Sequence, residues 1–329
     1  IKTAKTKYLV WTAVAILLLL TTHSLISMIF APFLLLWSLF WLYTEKKWRL
    51  IPKLLLAGLL GLGLAAFYII PLLFEKKYAH LETLLVGYFD YRAHFVNLYK
   101  LFLSMEWGYG SSGFPLEKLN LSTGIIQWVV GIVAGILAVL RFKKEKKLAT
   151  LTFVLLGCEL IVLFLMHQKS SFIWSGLPIL SWLQFPWRFL TISIFLLSIL
   201  SALAVYFAGK YGYMLGMVSI LLAFLLYGNF FIPKGWLDIR DEDKFSGESW
   251  EKQLTISIFD YLPIYAKLPP PSKAPEFPEV LEGEASFSDY KKGSNYQTGG
   301  VEVKEESLLR APIFDFPGMR VTIDGKTVP

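Results

Sequence analysis

Residues 25–43, LISMIFAPFLLLWSLFWLY, carry no charged side chain. As a helix rising 1.5 Å per residue, that run measures about 28 Å, close to the ~30 Å hydrocarbon core of a bilayer. Working outward, stretches of the same kind lie at roughly 8–23, 53–74, 122–142, 149–166, 187–208 and 213–232. The chain is 55% hydrophobic and only 17% charged, with mean hydropathy +0.53. A soluble domain of 329 residues cannot bury that much apolar surface. The expected fold is an all-α polytopic membrane domain over 1–232, with about seven transmembrane helices. A single cysteine, Cys158, sits inside an apolar run, so no internal disulfide can form.

The charges sort by loop. Lys2, Lys5 and Lys7 precede the first stretch, and Lys46, Lys47, Arg49 and Lys53 lie between the second and third. Arg141, Lys143, Lys144, Lys146 and Lys147 follow the fourth, and Lys210 follows the sixth. Only Glu45 and Glu145 accompany these cations. After Ile232 the balance reverses, with 17 acidic against 12 basic residues. Short basic loops stay in the cytoplasm. This places 21–24, 75–121, 167–186 and the whole C-terminal region outside, in a multi-pass cell-membrane protein. The net charge of +7 is thus a topology signal, and it argues against a nucleic-acid partner. Ile1 opens the chain without a signal-peptide pattern, and VTIDGKTVP stops within a hairpin. Both ends read as cut, so the expectation is an internal fragment of a longer protein.

Gly58, Gly61 and Gly63 suggest a small-residue face for close helix approach. Pro32 and Pro71 are expected to kink their helices. In the loop 75–121, Phe95, Leu98, Leu101 and Phe102 predict a short amphipathic helix over 95–105, lying flat on the membrane. WGYGSSG (107–113) ends it, and the aromatic segment 167–186 suits the headgroup level. Residues 233–279 read as a linker stiffened by Pro269–Pro271. Residues 280–329 alternate as strands, turned at Asp324-Gly325, and predict the start of an extracytoplasmic β-sandwich.

Four phrases together resemble one bacterial and archaeal family. They are LLLLTTHSLISMIFAPFLLL, GYFDYRAHFVNLYKLFLSMEWGYGSS, LPILSWLQFPWRFL and FPGMRVTIDGKTV. The family is that of membrane proteins called 6-pyruvoyl-tetrahydropterin synthase-related, akin to the YfhO type. Ser24 stands where that family commonly has Asn, and Met319 where it commonly has Trp. The resemblance implies a GT-C-like fold, that of membrane glycosyltransferases using polyprenyl-phosphate sugars. In that fold the catalytic Asp or Glu lies in the first outer loop, a region expected to fall upstream of this chain.

Candidate site residues follow, each with a plainer alternative. Arg188, at the outer end of the sixth stretch, offers a planar donor fork to a lipid-linked phosphate, or else snorkels as an anchor. His94 is a candidate phosphate donor or acid/base group, or a packed loop residue. His23, beside Thr21, Thr22 and Ser24, either lines a polar cavity or closes a helix end. Glu106, Trp107, Tyr109 and Gln184 are candidate sugar or acceptor contacts, against an aromatic-belt reading for Trp107 and Tyr109. Glu159, within the fifth stretch, is costly there and marks either function or a buried partner. His23, His80, His94 and His167 lack zinc-site spacing, and no Gly-rich nucleotide loop follows a strand. The resemblance leaves a divalent cation open. The expected partners are the lipid bilayer and a polyprenyl-phosphate lipid. The functional expectation is sugar transfer from that lipid to a cell-envelope acceptor. The alternatives are a non-catalytic scaffold or translocation component, and a transporter, for which no internal repeat is visible.

Overall fold

The computed structural model describes residues 5–108, 110–113, 119–255 and 259–328. The chain divides into two units. The first comprises Ile1–Phe74 and Leu84–Gly235, and the second Glu75–Thr83 and Trp236–Pro329.

The first unit is helical: α1 Thr6–Thr22, α2 Ser24–Thr44, α3 Ile51–Leu64, α4 Ala66–Glu75, α5 Leu98–Phe102, α6 Ile125–Arg141, α7 Lys146–Met166, α8 Ser171–Gly176, α9 Leu190–Phe207 and α10 Gly212–Tyr227. Among the described residues, four helical segments are long and apolar enough to cross a membrane: Ser24–Thr44, Lys146–Met166, Pro186–Phe207 and Gly209–Phe231. The predicted third crossing is a broken pair, Trp48–Leu64 and Ala66–Tyr78, bent by 71°. α1 and α6 are apolar but shorter, at 17 residues each. Such a helix spans about 26 Å, just under the hydrocarbon thickness.

The bend does not fall at Pro71, as the sequence suggests, but at Ala65. Three glycines in the preceding turns leave the backbone least restrained there. α2 continues through Pro32 without interruption. The small-residue face of α3 is also differently composed. Ala57, Gly61 and Ala65 are its buried positions, spaced four apart. A Cβ on Gly61 would meet Ile16 Cβ at 2.7 Å and the Ala13 carbonyl oxygen at 2.9 Å, whereas Gly58 and Gly63 face open space. Gly61 alone of the three glycines therefore lets α1 approach.

α6, α7 and α9 form the centre. α6 buries Val130, Gly131, Ala134 and Ala138 along one stripe. The facing side of α9 buries Leu196, Leu197, Leu200 and Leu203. A Cβ on Gly131 would lie 3.1 Å from Leu197 Cδ2, so small residues on one helix receive leucines from the other. α2 joins this centre through Phe30 and Phe33, whose rings meet Phe195 at 5.7 and 5.6 Å.

The connections sort into two ends. At one end Lys147 pairs with Glu45, and Tyr206 Oη donates to Glu145 Oε1 at 3.1 Å. At the other end Val96 N–H donates to the Met166 carbonyl (2.9 Å), and Ile125 N–H to Tyr227 Oη (2.6 Å). The predicted flat helix shrinks to the single turn α5, capped by Asn97 Oδ1 on Lys100 N–H. It cannot continue, because the Leu101 carbonyl accepts from Thr123 N–H and Oγ1 instead of the next turn. Leu98, expected on its apolar face, is exposed. In 167–186, Trp174 is buried rather than interfacial, stacked on Tyr91 and donating to the Leu165 carbonyl.

In the second unit, the expected linker contains α11 Asp241–Phe245 and α12 Gly247–Thr255. The strands are β1 Glu279–Glu282, β2 Ala285–Lys292, β3 Gln297–Val303, β4 Leu308–Arg310, β5 Val321–Ile323 and β6 Lys326–Val328. They form three separate antiparallel pairs, β1–β4, β2–β3 and β5–β6, rather than the facing sheets of a sandwich. The β5–β6 hairpin turns at Asp324-Gly325 as read, both with positive φ. Residues 75–83 join this unit. Ile264 N–H donates to the Tyr78 carbonyl, and His80 Nε2 lies 3.0 Å from the Ala266 carbonyl.

Candidate functional site

The site forms where the 84–113 part of the long loop meets the turn that starts α9. Gln184 has φ +59° and ψ −45°, and Phe185 N–H reaches back to the Leu183 carbonyl at 2.5 Å. That is a γ-turn with a non-glycine residue in left-handed space, a strained arrangement. It persists because contacts fix it from several sides. The Gln184 side chain is buried and its Nε2 donates to the Leu84 carbonyl at 3.0 Å. Arg188 Nη1 donates to the Leu183 carbonyl, also at 3.0 Å. Trp187 Nε1–H donates to Ser112 Oγ at 2.8 Å, bridging 75 positions of sequence.

Phe185 is the ring at the centre. His94 meets it edge-on with centroids 4.7 Å apart, Tyr88 at 5.8 Å, and Trp187 stacks on it at 5.1 Å. The Arg188 guanidinium carbon lies 5.0 Å from the same ring.

His94 is fully buried, and both its nitrogens are engaged. Nε2 lies 2.5 Å from the Tyr88 carbonyl, and Nδ1 lies 2.6 Å from Ser112 Oγ. A carbonyl oxygen only accepts, so Nε2 carries a proton, and in the neutral ring Nδ1 accepts from the Ser112 hydroxyl. The donors then run in one direction: Trp187 indole to Ser112, Ser112 to His94, His94 to Tyr88. His94 thus has no nitrogen left for a ligand in this arrangement.

Arg188 differs. Its side chain is half-buried and, among the described residues, makes one hydrogen bond, to a backbone carbonyl. Among the described residues, no carboxylate lies within 4.0 Å of it. A guanidinium has five N–H donors, so most of them are available to an anion.

The other candidates lie apart. His23 caps α2, accepting from Leu25 N–H at 3.2 Å, while Thr21, Thr22 and Ser27 return their hydroxyls to nearby carbonyls. That is a closed helix end, with no hydrogen bond to Arg188 or His94. Trp107 stacks on Phe230, centroids 4.8 Å apart and planes 7° apart, which covers one of its faces. The Glu106 side chain is exposed, and its carbonyl accepts from Asn120 Nδ2. Tyr109 lies outside the described residues. Glu159 is buried against Ser193, whose hydroxyl donates to Oε1 at 2.6 Å, while Oε2 has no hydrogen-bond partner among the described residues. Among the described residues, no group of three or more His, Cys, Asp or Glu converges as for a metal.

At the entry to this loop, Asp90 accepts from Arg92 through both oxygens and caps its backbone N–H. The Arg92 guanidinium holds the Asp90 carboxyl below the usual carboxylate range.

Ser112, Trp187, Phe185 and Tyr88 were not singled out by sequence. Each falls inside a phrase that was, but only the fold brings the phrases together.

Fold and site together define a multi-helix protein with helices fit to cross a membrane, and a strained, Arg-bearing turn at one end of its helical unit. Comparison with protein-family models, curated proteins and solved structures finds no match.

Proposed function

We propose that this chain belongs to a multi-pass cell-membrane protein with about seven crossings and an extracytoplasmic C-terminal region. In this reading the turn at Arg188 takes the phosphate of a polyprenyl-phosphate lipid. The observation that carries it is the half-buried Arg188, whose remaining donors have no partner among the described residues, on a backbone fixed from several sides. Strain held in place by its surroundings clusters at ligand clamps. A cation at the head of α9 also adds to the positive end of that helix. The half-buried Trp187 gives the isoprenoid an apolar approach beside the charge.

The reaction this supports best is GT-C-like transfer of a sugar from the lipid phosphate to a cell-envelope acceptor. Arg188 would stabilise the negative charge that gathers on the phosphate as it leaves. In this reading a carboxylate of the protein acts as the base. A divalent cation remains compatible with such chemistry.

One observation favours a second reading, a non-catalytic scaffold or translocation component. Both His94 nitrogens are engaged, so this histidine is not free to accept a proton beside the turn. Incubating the full-length protein with a polyprenyl-phosphate-linked sugar separates the two. An enzyme releases polyprenyl phosphate in proportion to sugar transferred. A scaffold binds the lipid without turnover.

A further inference from the structure

We infer that Trp187, Ser112 and His94 are positioning residues that set the aim of Arg188, and that His94 does not itself touch the phosphate. This rests on the lipid-phosphate reading of Arg188. The turn has a strained backbone, so its direction must be imposed from outside. Gln184 and Arg188 hold its start, at the Leu84 and Leu183 carbonyls. Beyond them, the polar tie on its far side is the Trp187 indole on Ser112, one residue before Arg188.

Ser112 holds that tie only while its hydroxyl points away from the indole. His94 Nδ1 accepts the hydroxyl proton and so turns the Ser112 oxygen toward Trp187. The Tyr88 carbonyl fixes the His94 tautomer that makes Nδ1 an acceptor. Tyr88 also accepts at its own hydroxyl from Ser111, so the loop is tied to the relay at two adjacent serines. Packing reinforces the geometry, because a Cβ on Gly113 would come within 3.0 Å of His94 Cε1. The relay thus couples the long loop to the Arg188 donors without supplying a ligand contact.

The test uses the full-length protein in lipid nanodiscs, with farnesyl phosphate as the probe. Ser112→Ala and Trp187→Phe should each weaken binding about 3- to 10-fold, the worth of one hydrogen bond. Ser112→Thr, which keeps the hydroxyl, should restore it. The indole N–H resonance of Trp187 should shift in Ser112→Ala and return in Ser112→Thr. A loss of fold would also shift other indole resonances, and Trp187→Phe then decides the matter. If Arg188→Ala lowers affinity while Ser112→Ala and Trp187→Phe bind as wild type, the relay is overturned and the phosphate reading stands. If Arg188→Ala binds as wild type, both are overturned. Inorganic phosphate is the second probe. Binding equal to that of farnesyl phosphate would make the site one for free phosphate and not for a lipid.

Discussion

Lys147 and Glu45 pair across 102 positions, joining the first turn of α7 to the end of α2. Lys147 also lies 4.9 Å from the Trp41 ring. Tyr206, at the end of α9, reaches Glu145 at the N-cap of α7. Three of the basic connections that read as cytoplasmic are therefore neighbours at one end of the helical unit. Charge alternation along the sequence and contact in space agree on which connections belong together.

From this follows a topology prediction. A reporter fused at 144 should be cytoplasmic, and one at 240 external. Cysteine labelling from outside intact cells should reach a residue introduced at 240 and miss one at 144. The reverse pattern would invert the orientation.

The α1–α3 contact predicts a contrast among three glycines. Gly61→Leu forces a side chain into Ile16 and the Ala13 carbonyl, with an expected cost of about 1–3 kcal/mol. Gly58→Leu and Gly63→Leu point into open space and should leave stability unchanged or slightly raised. Thermal unfolding in detergent measures all three. Equal losses at all three positions would refute the contact.

His80 predicts how the second unit is held. It is buried, stacked on Phe259 with centroids 4.1 Å apart, and bonded to the Ala266 carbonyl. His80→Ala should cost that unit about 1–3 kcal/mol. Limited proteolysis should then cut faster near residues 259–266. Unchanged cleavage would mean that this histidine does not fasten the segment.

Asp90 predicts an acid-sensitive loop entry. Its carboxyl is held below the usual range by Arg92, so its stabilisation is complete above the unfolded value of about 3.9. It is lost as pH falls through the lower, folded value. Protection of the Arg92 amide, corrected for intrinsic exchange, should therefore drop only at acid pH. Asp90→Asn should flatten that dependence.

Much of the helical unit was legible because apolar run length is a strong, local signal. The seven stretches read from sequence are all helical among the described residues, although only four segments are long and apolar enough to cross as single helices. What the sequence hid depends on partners far along the chain. The truncation of α5 comes from the Leu101 carbonyl, which is diverted to Thr123, 22 positions on. Residues 280–329 alternate convincingly, but alternation cannot say which strands pair, and the three hairpin-like pairs remain separate. Within the site, Arg188, Gln184 and His94 were legible as unusual residues in memorable phrases. Their roles were not, because Ser112 and Trp187, which link the phrases, look ordinary in isolation. The engaged nitrogens of His94 move it from ligand donor to internal tie. His23 becomes a helix cap through Nδ1, which accepts from Leu25 N–H.

The proposed role of Arg188 is to receive a lipid-linked phosphate. Binding of farnesyl phosphate to the full-length protein in nanodiscs tests it directly, with wild type, Arg188→Lys and Arg188→Ala compared at fixed salt. Arg188→Ala should weaken binding about tenfold or more, the loss of a charge-assisted contact. Arg188→Lys should recover only part of it, since an ammonium keeps the charge but not the planar fork. Identical affinity for all three proteins would contradict the account and leave Arg188 as a membrane-interface anchor.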